Sequence, residues 1–399
     1  MKYFLLALAM LLVSCTPGEE KISQKADRLH KDMLAVDTHC DTPMRLFRGN
    51  YDLGIRNDKG CIDLPRMKEG GLDAEFFAIF IDQGPRTPEA YEIEYRNTLG
   101  TFDSIKNSVG RYPDLADIAL TPDDAYRLKG EDRIAIFIGI ENGYPVGTDI
   151  SKVKEYYDLG ARYITLCHSS NNDICDSSTD KSGPEYNGLS AFGEEVVKEM
   201  NRIGMMIDVS HISDDSFYDV LAASKAPVIA SHSSCRALCE SPRNLNDEML
   251  QALKNNGGVI QICILSDYLK QPEPNPEFDE KIKELREKWE ALGPDLTDAQ
   301  QEQRWNEFSE LKKQYVKLAT VTDAVNHIQH VIDIIGIDYV GIGSDFDGGG
   351  GIEGCTDVSM MKNITKELLR RGYSREEITK IWGGNFMRVM REVQAMAEV

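Results

Sequence analysis

Met33-Leu34-Ala35-Val36-Asp37-Thr38-His39-Cys40-Asp41 is a short apolar run that ends in a His-x-Asp pair. Residues i and i+2 of a strand face the same side. A strand over 34–37 therefore carries His39 and Asp41 to one point just beyond its end. An imidazole and a carboxylate converging there suit a divalent metal such as zinc. An ordinary polar strand end has the same three letters. How the later strands end decides between the two.

Seven further apolar or β-branched runs follow, over 74–81, 134–140, 163–166, 205–209, 228–230, 259–264 and 339–342. Their apolarity is continuous rather than alternating, as expected of strands buried on both faces of a parallel sheet. Helical patterns lie between them. The segment 192–202 ends at Gly204, a C-cap residue. The segment 214–223 starts after Ser213, a good N-cap. The segment 247–254 stops before Gly257-Gly258. Eight alternating units predict an α/β fold, a closed (β/α)₈ TIM-like barrel. A doubly wound open sheet is the alternative. It favours a glycine-rich phosphate loop after the first strand, and Asp37-Thr38-His39-Cys40 is not one.

Residues 265–321 break the rhythm. Pro272, Pro274 and Pro276 lead into two strongly charged helical stretches, 278–292 and 297–318. They read as a charged helical insertion between strands seven and eight. Simple surface elaboration is the expected role. A rim or lid is the alternative, because this connection leaves the catalytic face of a barrel. A helix over 323–335 then carries His327 and His330, three apart and so able to share a metal by geometry, but it reads as a surface helix because it lies outside the barrel. His30 reads as a surface or helix-packing residue of a first helix.

The carboxyl ends of the runs share a chemistry. The first carries His39 and Asp41, the third Glu141, the fourth His168. The fifth carries Asp208 and His211, the sixth His232, the eighth Asp345 and Asp347. The chain has 7 histidines, and His39, His168, His211 and His232 all end strands. Active sites of these barrels lie at that face. A catalytic zinc takes about three protein ligands, so this set suggests two metals. Paired metals sit about 3.5–4 Å apart and are well served by a bridging carboxylate. Glu141 is the natural candidate.

The chain of 399 residues is 41% hydrophobic with a formal net charge of -21. It has ample material for a large core. Its acidity argues against nucleic acid or an anionic lipid surface as partner. Lys2 and the apolar run 4–13 form a segment too short to span a membrane. Leu12-Val13-Ser14-Cys15 resembles a bacterial lipoprotein signal, with an ordinary secretory signal as the alternative. On the lipoprotein reading, 1–14 is removed. Acyl chains on Cys15 then hold an exported protein in the bacterial cell envelope. Residues 15–32 form a tether and first helix, and 33–399 the barrel. The 9 cysteines contain no CxxC pair, so a zinc ribbon is not expected. Export permits disulfides. Cys239 with Cys263 is one candidate pair, and buried free thiols are the alternative.

The blocks Val36-Asp37-Thr38-His39-Cys40-Asp41, Ile62-Asp63-Leu64-Pro65-Arg66, Ile207-Asp208-Val209-Ser210-His211, Ser231-His232-Ser233-Ser234, Pro242-Arg243-Asn244 and Gly343-Ser344-Asp345-Phe346-Asp347-Gly348, with Gly160 to Leu166, stand in one order. Together they resemble the membrane (renal) dipeptidases of the amidohydrolase superfamily, from about Met33 to Val393 apart from the charged arm. The resemblance implies a zinc-dependent dipeptidase with two zinc ions bridged by Glu141 and a water or hydroxide. His39 and Asp41 look like ligands of one ion, and His211 and His232 of the other. His168 looks like the group that meets the scissile carbonyl. Arg243 looks like the group that meets the substrate's terminal carboxylate, and Asp345 like the acid/base. Asp208 and Asp347 have no ligand role and read as supporting residues. Asn142-Gly143-Tyr144 and Ile174 depart from the family pattern at pocket positions, which leaves side-chain preference open, tolerance of a C-terminal D-residue included. A different binuclear amidohydrolase acting on a cyclic amide, lactone or ester is the nearest rival. No strand ends in the lysine that bridges many of those. A surface lipoprotein that binds peptides without turnover is the second rival, and Asp345 argues against it. The oligomer stays open, a homodimer included.

Overall fold

The computed structural model describes residues 17–293 and 296–398. The signal segment 1–14 and Cys15 lie outside the described residues. Among the described residues no helix is long and apolar enough to cross a membrane.

All eight expected strands form. They are β1 (Val36–Cys40), β2 (Ala74–Phe80), β4 (Ile134–Glu141), β5 (Ala161–Thr165), β6 (Met206–Asp208), β7 (Ile229–Ser233), β8 (Val259–Cys263) and β9 (Val340–Gly343), with β3 a ninth (Ala116–Ile118). The sheet runs β1-β2-β4-β5-β6-β7-β8-β9, every pair parallel. A parallel bridge between Cys40 and Phe346 brings the two ends together, so the sheet forms a nearly closed barrel ringed by helices. The open-sheet alternative is thereby excluded.

The sequence reading missed β3. It pairs with Ile134–Ile136 of β4. The neighbour β5 joins β4 only from Ile138 onward, so β3 covers the backbone edge that β5 does not reach. Three residues carry too little periodicity to mark a strand.

One cluster takes Val36, Phe76, Phe137, Tyr163, Met206, Ile229 and Val259 from seven successive barrel strands. It is the layered interior expected of such a barrel. Phe76 stacks on Phe137 at 4.5 Å, and Phe386 of the C-terminal helix Asn385–Ala395 meets Phe76 edge-on at 5.0 Å. A second, larger cluster lies between strands and helices. The predicted helix ends have clear causes. Ser190, Ser213 and Asn246 each accept a backbone N–H as N-caps, and Gly204 and Gly257 end their helices at φ 75° and 84°, a conformation that favours glycine.

The charged insertion between β8 and β9 is a pair of packed helices, Pro276–Glu290 and Asp298–Tyr315. Trp289 Nε1 donates to Glu307 Oε2 at 3.0 Å between them. Arg48, beyond β1, donates to Gln301 Oε1 at 3.3 Å, so the arm rests beside the loop that follows β1.

Two local expectations need correction. His327 is buried rather than on a surface: its Nδ1 accepts from the Cys235 N–H at 3.0 Å, and its Nε2 meets the Leu269 carbonyl at 3.0 Å. His330 instead meets Asp247 at 2.7 Å, so the two share no metal. The eight described cysteines are free thiols. Cys239 Sγ faces the Asp267 carbonyl while Cys263 Sγ faces Asp345, so they do not pair. For His30 the helix-packing reading holds, since it is buried against the helix Lys362–Arg370. Its Nε2 lies 2.7 Å from Thr365 Oγ1 and its ring meets Trp382 edge-on.

Candidate metal centre

The barrel closes so that the polar strand ends meet. Glu141, the last residue of β4, stands at the centre. Its Oε2 lies 3.4 Å from His39 Nε2. Its Oε1 lies 3.0 Å from His211 Nε2, 3.5 Å from His232 Nε2 and 3.8 Å from His168 Nε2. His39 Nε2 is also 3.6 Å from Asp41 Oδ2. Asp345 joins that side, where one ligand atom each of His39, Asp41 and Asp345 lie within 4.8 Å of one another. Every sequence-expected ligand is therefore in one place, and all are buried. His168 is the most open member, with 24% of its side chain exposed.

The loop geometry that aims these groups is unusual. Non-glycine residues with positive φ include Asn142 (79°), His211 (73°), Asp345 (59°) and Asp347 (66°), each just past a strand end. Left-handed backbone is costly for a residue with a Cβ, and such positions gather at functional sites. Asn142 satisfies its turn by donating to the Ile81 carbonyl and accepting from Asn172 Nδ2, both at 3.0 Å. Asp347 accepts from Thr42 Oγ1 and Arg45 Nε and does not enter the ligand cluster. Asp208 likewise points away, into a hydrogen-bond network behind His232.

The electrostatics of the cluster suit a bound cation. Burial pushes the Asp345 carboxyl well above its ordinary range, and the Asp41 carboxylate adds to it. Burial would also raise Glu141, but the surrounding His39, His211 and His232 rings outweigh it and hold it well below. Burial, aided by Arg243, holds His211 well below its ordinary value and keeps it neutral. His39 Nε2 and Asp41 Oδ1 are buried with no hydrogen-bond partner. His211 Nε2 and His232 Nε2 face each other at 2.8 Å. Buried lone pairs that converge without donors are poorly solvated. Cations bound by neutral imidazoles and carboxylates satisfy all of them, so the donor set fits divalent metal.

Arg243 reaches the centre from the loop after β7. One Nη donates to the His232 carbonyl at 3.1 Å, its Nε is buried without a partner, and its guanidinium lies 5.2 Å from the ring centroid of Tyr268. Tyr268, at the root of the insertion, was not singled out from sequence, nor were Tyr163 and Ser231. Tyr163 Oη lies 3.0 Å from His39 Nδ1, and Ser231 Oγ lies 2.8 Å from His232 Nδ1. Ser231 is adjacent to His232 in a quoted block, which was the available signal. Tyr163 likewise stands in a quoted block, Gly160 to Leu166, whereas Tyr268 has no such signal. The departures at Tyr144 and Ile174 are both buried, and Tyr144 Oη props the loop after β2 by donating to the Pro85 carbonyl at 2.6 Å.

The profile of the family described as membrane dipeptidase (peptidase family M19) matches residues 23–399. The chain belongs to this family. It is 35% identical to dipeptidase verJ of Clonostachys rogersoniana over 386 residues, covering 94% of this chain and 87% of that protein. It is 31% identical to dipeptidase 3 of Rattus norvegicus over 390 residues, covering 96% and 69%. In structure it is similar to the probable dipeptidase PvdM of Pseudomonas aeruginosa, with a TM-score of 0.83 at 32% identity, covering 96% of this chain and 100% of that one. As a membrane dipeptidase family member the protein is a metallopeptidase, a hydrolase that cleaves dipeptides with the help of metal.

Proposed function

We propose that this dipeptidase works with two zinc ions held between five side chains of the cluster. His39 and Asp41 would hold one ion, His211 and His232 the other, and Glu141 would serve both. The observation that carries this reading is the split of the Glu141 carboxylate, with Oε2 toward His39 and Oε1 toward His211 and His232. The ions would supply Lewis acidity for the peptide carbonyl and lower the pKa of water toward about 7.

The remaining residues bind and move protons. Arg243 grips the substrate's C-terminal carboxylate through its free Nε edge, in the two-pronged geometry that Lys lacks, while Tyr268 lies against its cationic plane. His168, kept neutral by burial despite the nearby Glu141, offers an N–H to the carbonyl oxygen as negative charge develops. A well-placed donor of this kind contributes about 3–4 kcal/mol. Asp345 takes the water's proton and gives it to the leaving amine. An anchored C-terminal carboxylate favours dipeptides over longer chains, those with a terminal D-residue included. On the lipoprotein reading of Cys15, the reaction takes place at the bacterial cell envelope.

A panel of L,L- and L,D-dipeptides assayed beside metal analysis of the same sample tests this. Turnover with about two zinc ions per chain is expected. Full activity with one ion per chain overturns the two-ion reading.

A further inference from the structure

Asp208 ends β6 fully buried and takes four donors. Its Oδ1 accepts from the Ser210 N–H at 3.0 Å and the Ser231 N–H at 2.8 Å. Its Oδ2 accepts from Thr165 Oγ1 at 2.5 Å and Ser231 Oγ at 2.6 Å. The carboxylate thus joins the ends of β5, β6 and β7. Ser231 Oγ also lies 2.8 Å from His232 Nδ1. A serine hydroxyl has a single hydrogen. With that hydrogen on Asp208, Ser231 has only lone pairs left for the imidazole. Nδ1 of His232 must then carry the ring hydrogen and donate it, which leaves Nε2 bare and facing Glu141 and His211.

We propose that Asp208 and Ser231 are positioning residues, a relay that locks His232 in the Nδ1–H form and so presents its Nε2 lone pair to the metal centre. The relay rests on the reading that His232 is a metal ligand. It extends the usual arrangement, in which a carboxylate or carbonyl takes the second ring N–H of a ligating histidine, by inserting a hydroxyl between the two. His211 has no such partner, because its Nδ1 is buried without a hydrogen bond. The protein therefore sets the ring form of one histidine of this pair and leaves the other to the metal. His39, on the other side of the centre, has a neutral counterpart in Tyr163. That Oη donates to the Thr38 carbonyl at 3.3 Å and lies 3.0 Å from His39 Nδ1.

Asp208 also ties strand ends together, so a structural role must be separated from the relay. Thr165→Val removes one donor to Asp208 from β5 and leaves the Asp208–Ser231–His232 path intact. Ser231→Ala removes the path, and Asp208→Asn frees the Ser231 hydrogen to point at His232. Two readouts serve all three variants: imidazole ¹⁵N NMR on the metal-free protein, and zinc affinity by competition with a chromogenic chelator. Wild type is expected to show His232 as the Nδ1–H form. Ser231→Ala and Asp208→Asn are expected to lose that signature and weaken zinc binding about 10–100-fold, while Thr165→Val retains both. An unchanged ring form and affinity in Ser231→Ala overturns the relay, as does an equal loss in Thr165→Val. A wild type that shows the locked ring form but takes up no zinc supports the relay and overturns the metal reading instead.

Discussion

The Asp345 backbone N–H donates to the His39 carbonyl at 3.0 Å, across the seam where β9 meets β1. That bond places the proposed proton carrier beside a proposed metal ligand that lies at the far end of the sequence. Asp345→Asn should fold, because this anchor is a backbone one. It should keep its metals and lose about 10²–10⁴ in kcat, the scale of general acid–base catalysis. Metal analysis beside single-turnover kinetics checks it: a metal-depleted variant makes Asp345 a ligand.

Glu141→Gln removes the charge that faces both sides of the cluster. Metal content should fall together with rate, by about 10-fold or more in zinc affinity, since an amide is a poor bridge between cations. Zinc occupancy equal to wild type at limiting metal would point to a different bridging residue.

Arg243→Ala should cost free dipeptides about 2–5 kcal/mol in kcat/KM, the range for removing one member of a desolvated charge pair. Dipeptides amidated at the C-terminus lack the carboxylate and should lose much less. Comparing the two substrate series on one preparation decides it. Equal losses would take Arg243 out of the carboxylate contact.

Glu75 lies in β2, fully buried, with neither carboxyl oxygen hydrogen-bonded. Burial and then the Asp37 carboxylate push its pKa well above the ordinary range. The unfolded chain releases this proton near pH 4.3, whereas the native state retains it. Its contribution to stability is fully present below the unfolded value and is lost as pH rises toward the folded one. Glu75→Gln should therefore match wild type at low pH and become the more stable protein toward neutrality. Denaturant melts of metal-free protein across pH 4 to 8 test this, and a pH-independent difference would refute it.

Cys15→Ser should release the protein from membranes into the soluble fraction if Cys15 carries the anchor. Fractionated cells with both forms equally soluble would leave the lipoprotein reading without support.

Most of the barrel and nearly all of the candidate ligands were legible in the residues. Continuous apolar runs mark strands buried on both faces, and the chemistry at their carboxyl ends needed no knowledge of strand order. Local pattern alone marks the eight-unit rhythm, the charged insertion and the candidate set His39, Asp41, Glu141, His168, His211, His232 and Asp345. Tertiary structure decided what lies behind them. The place of its helix outside the barrel put His327 on a surface, but packing of that helix against the loop after β7 buries it. Tyr163 lies 124 positions from His39 and Tyr268 25 from Arg243, and each contact exists only once the barrel has closed. Ser231 is next to His232 in the chain, yet its role depends on Asp208 from the neighbouring strand. Local sequence sets which side a residue faces. Which side chain completes its hydrogen bonds is set by long-range closure, and no local pattern encodes that.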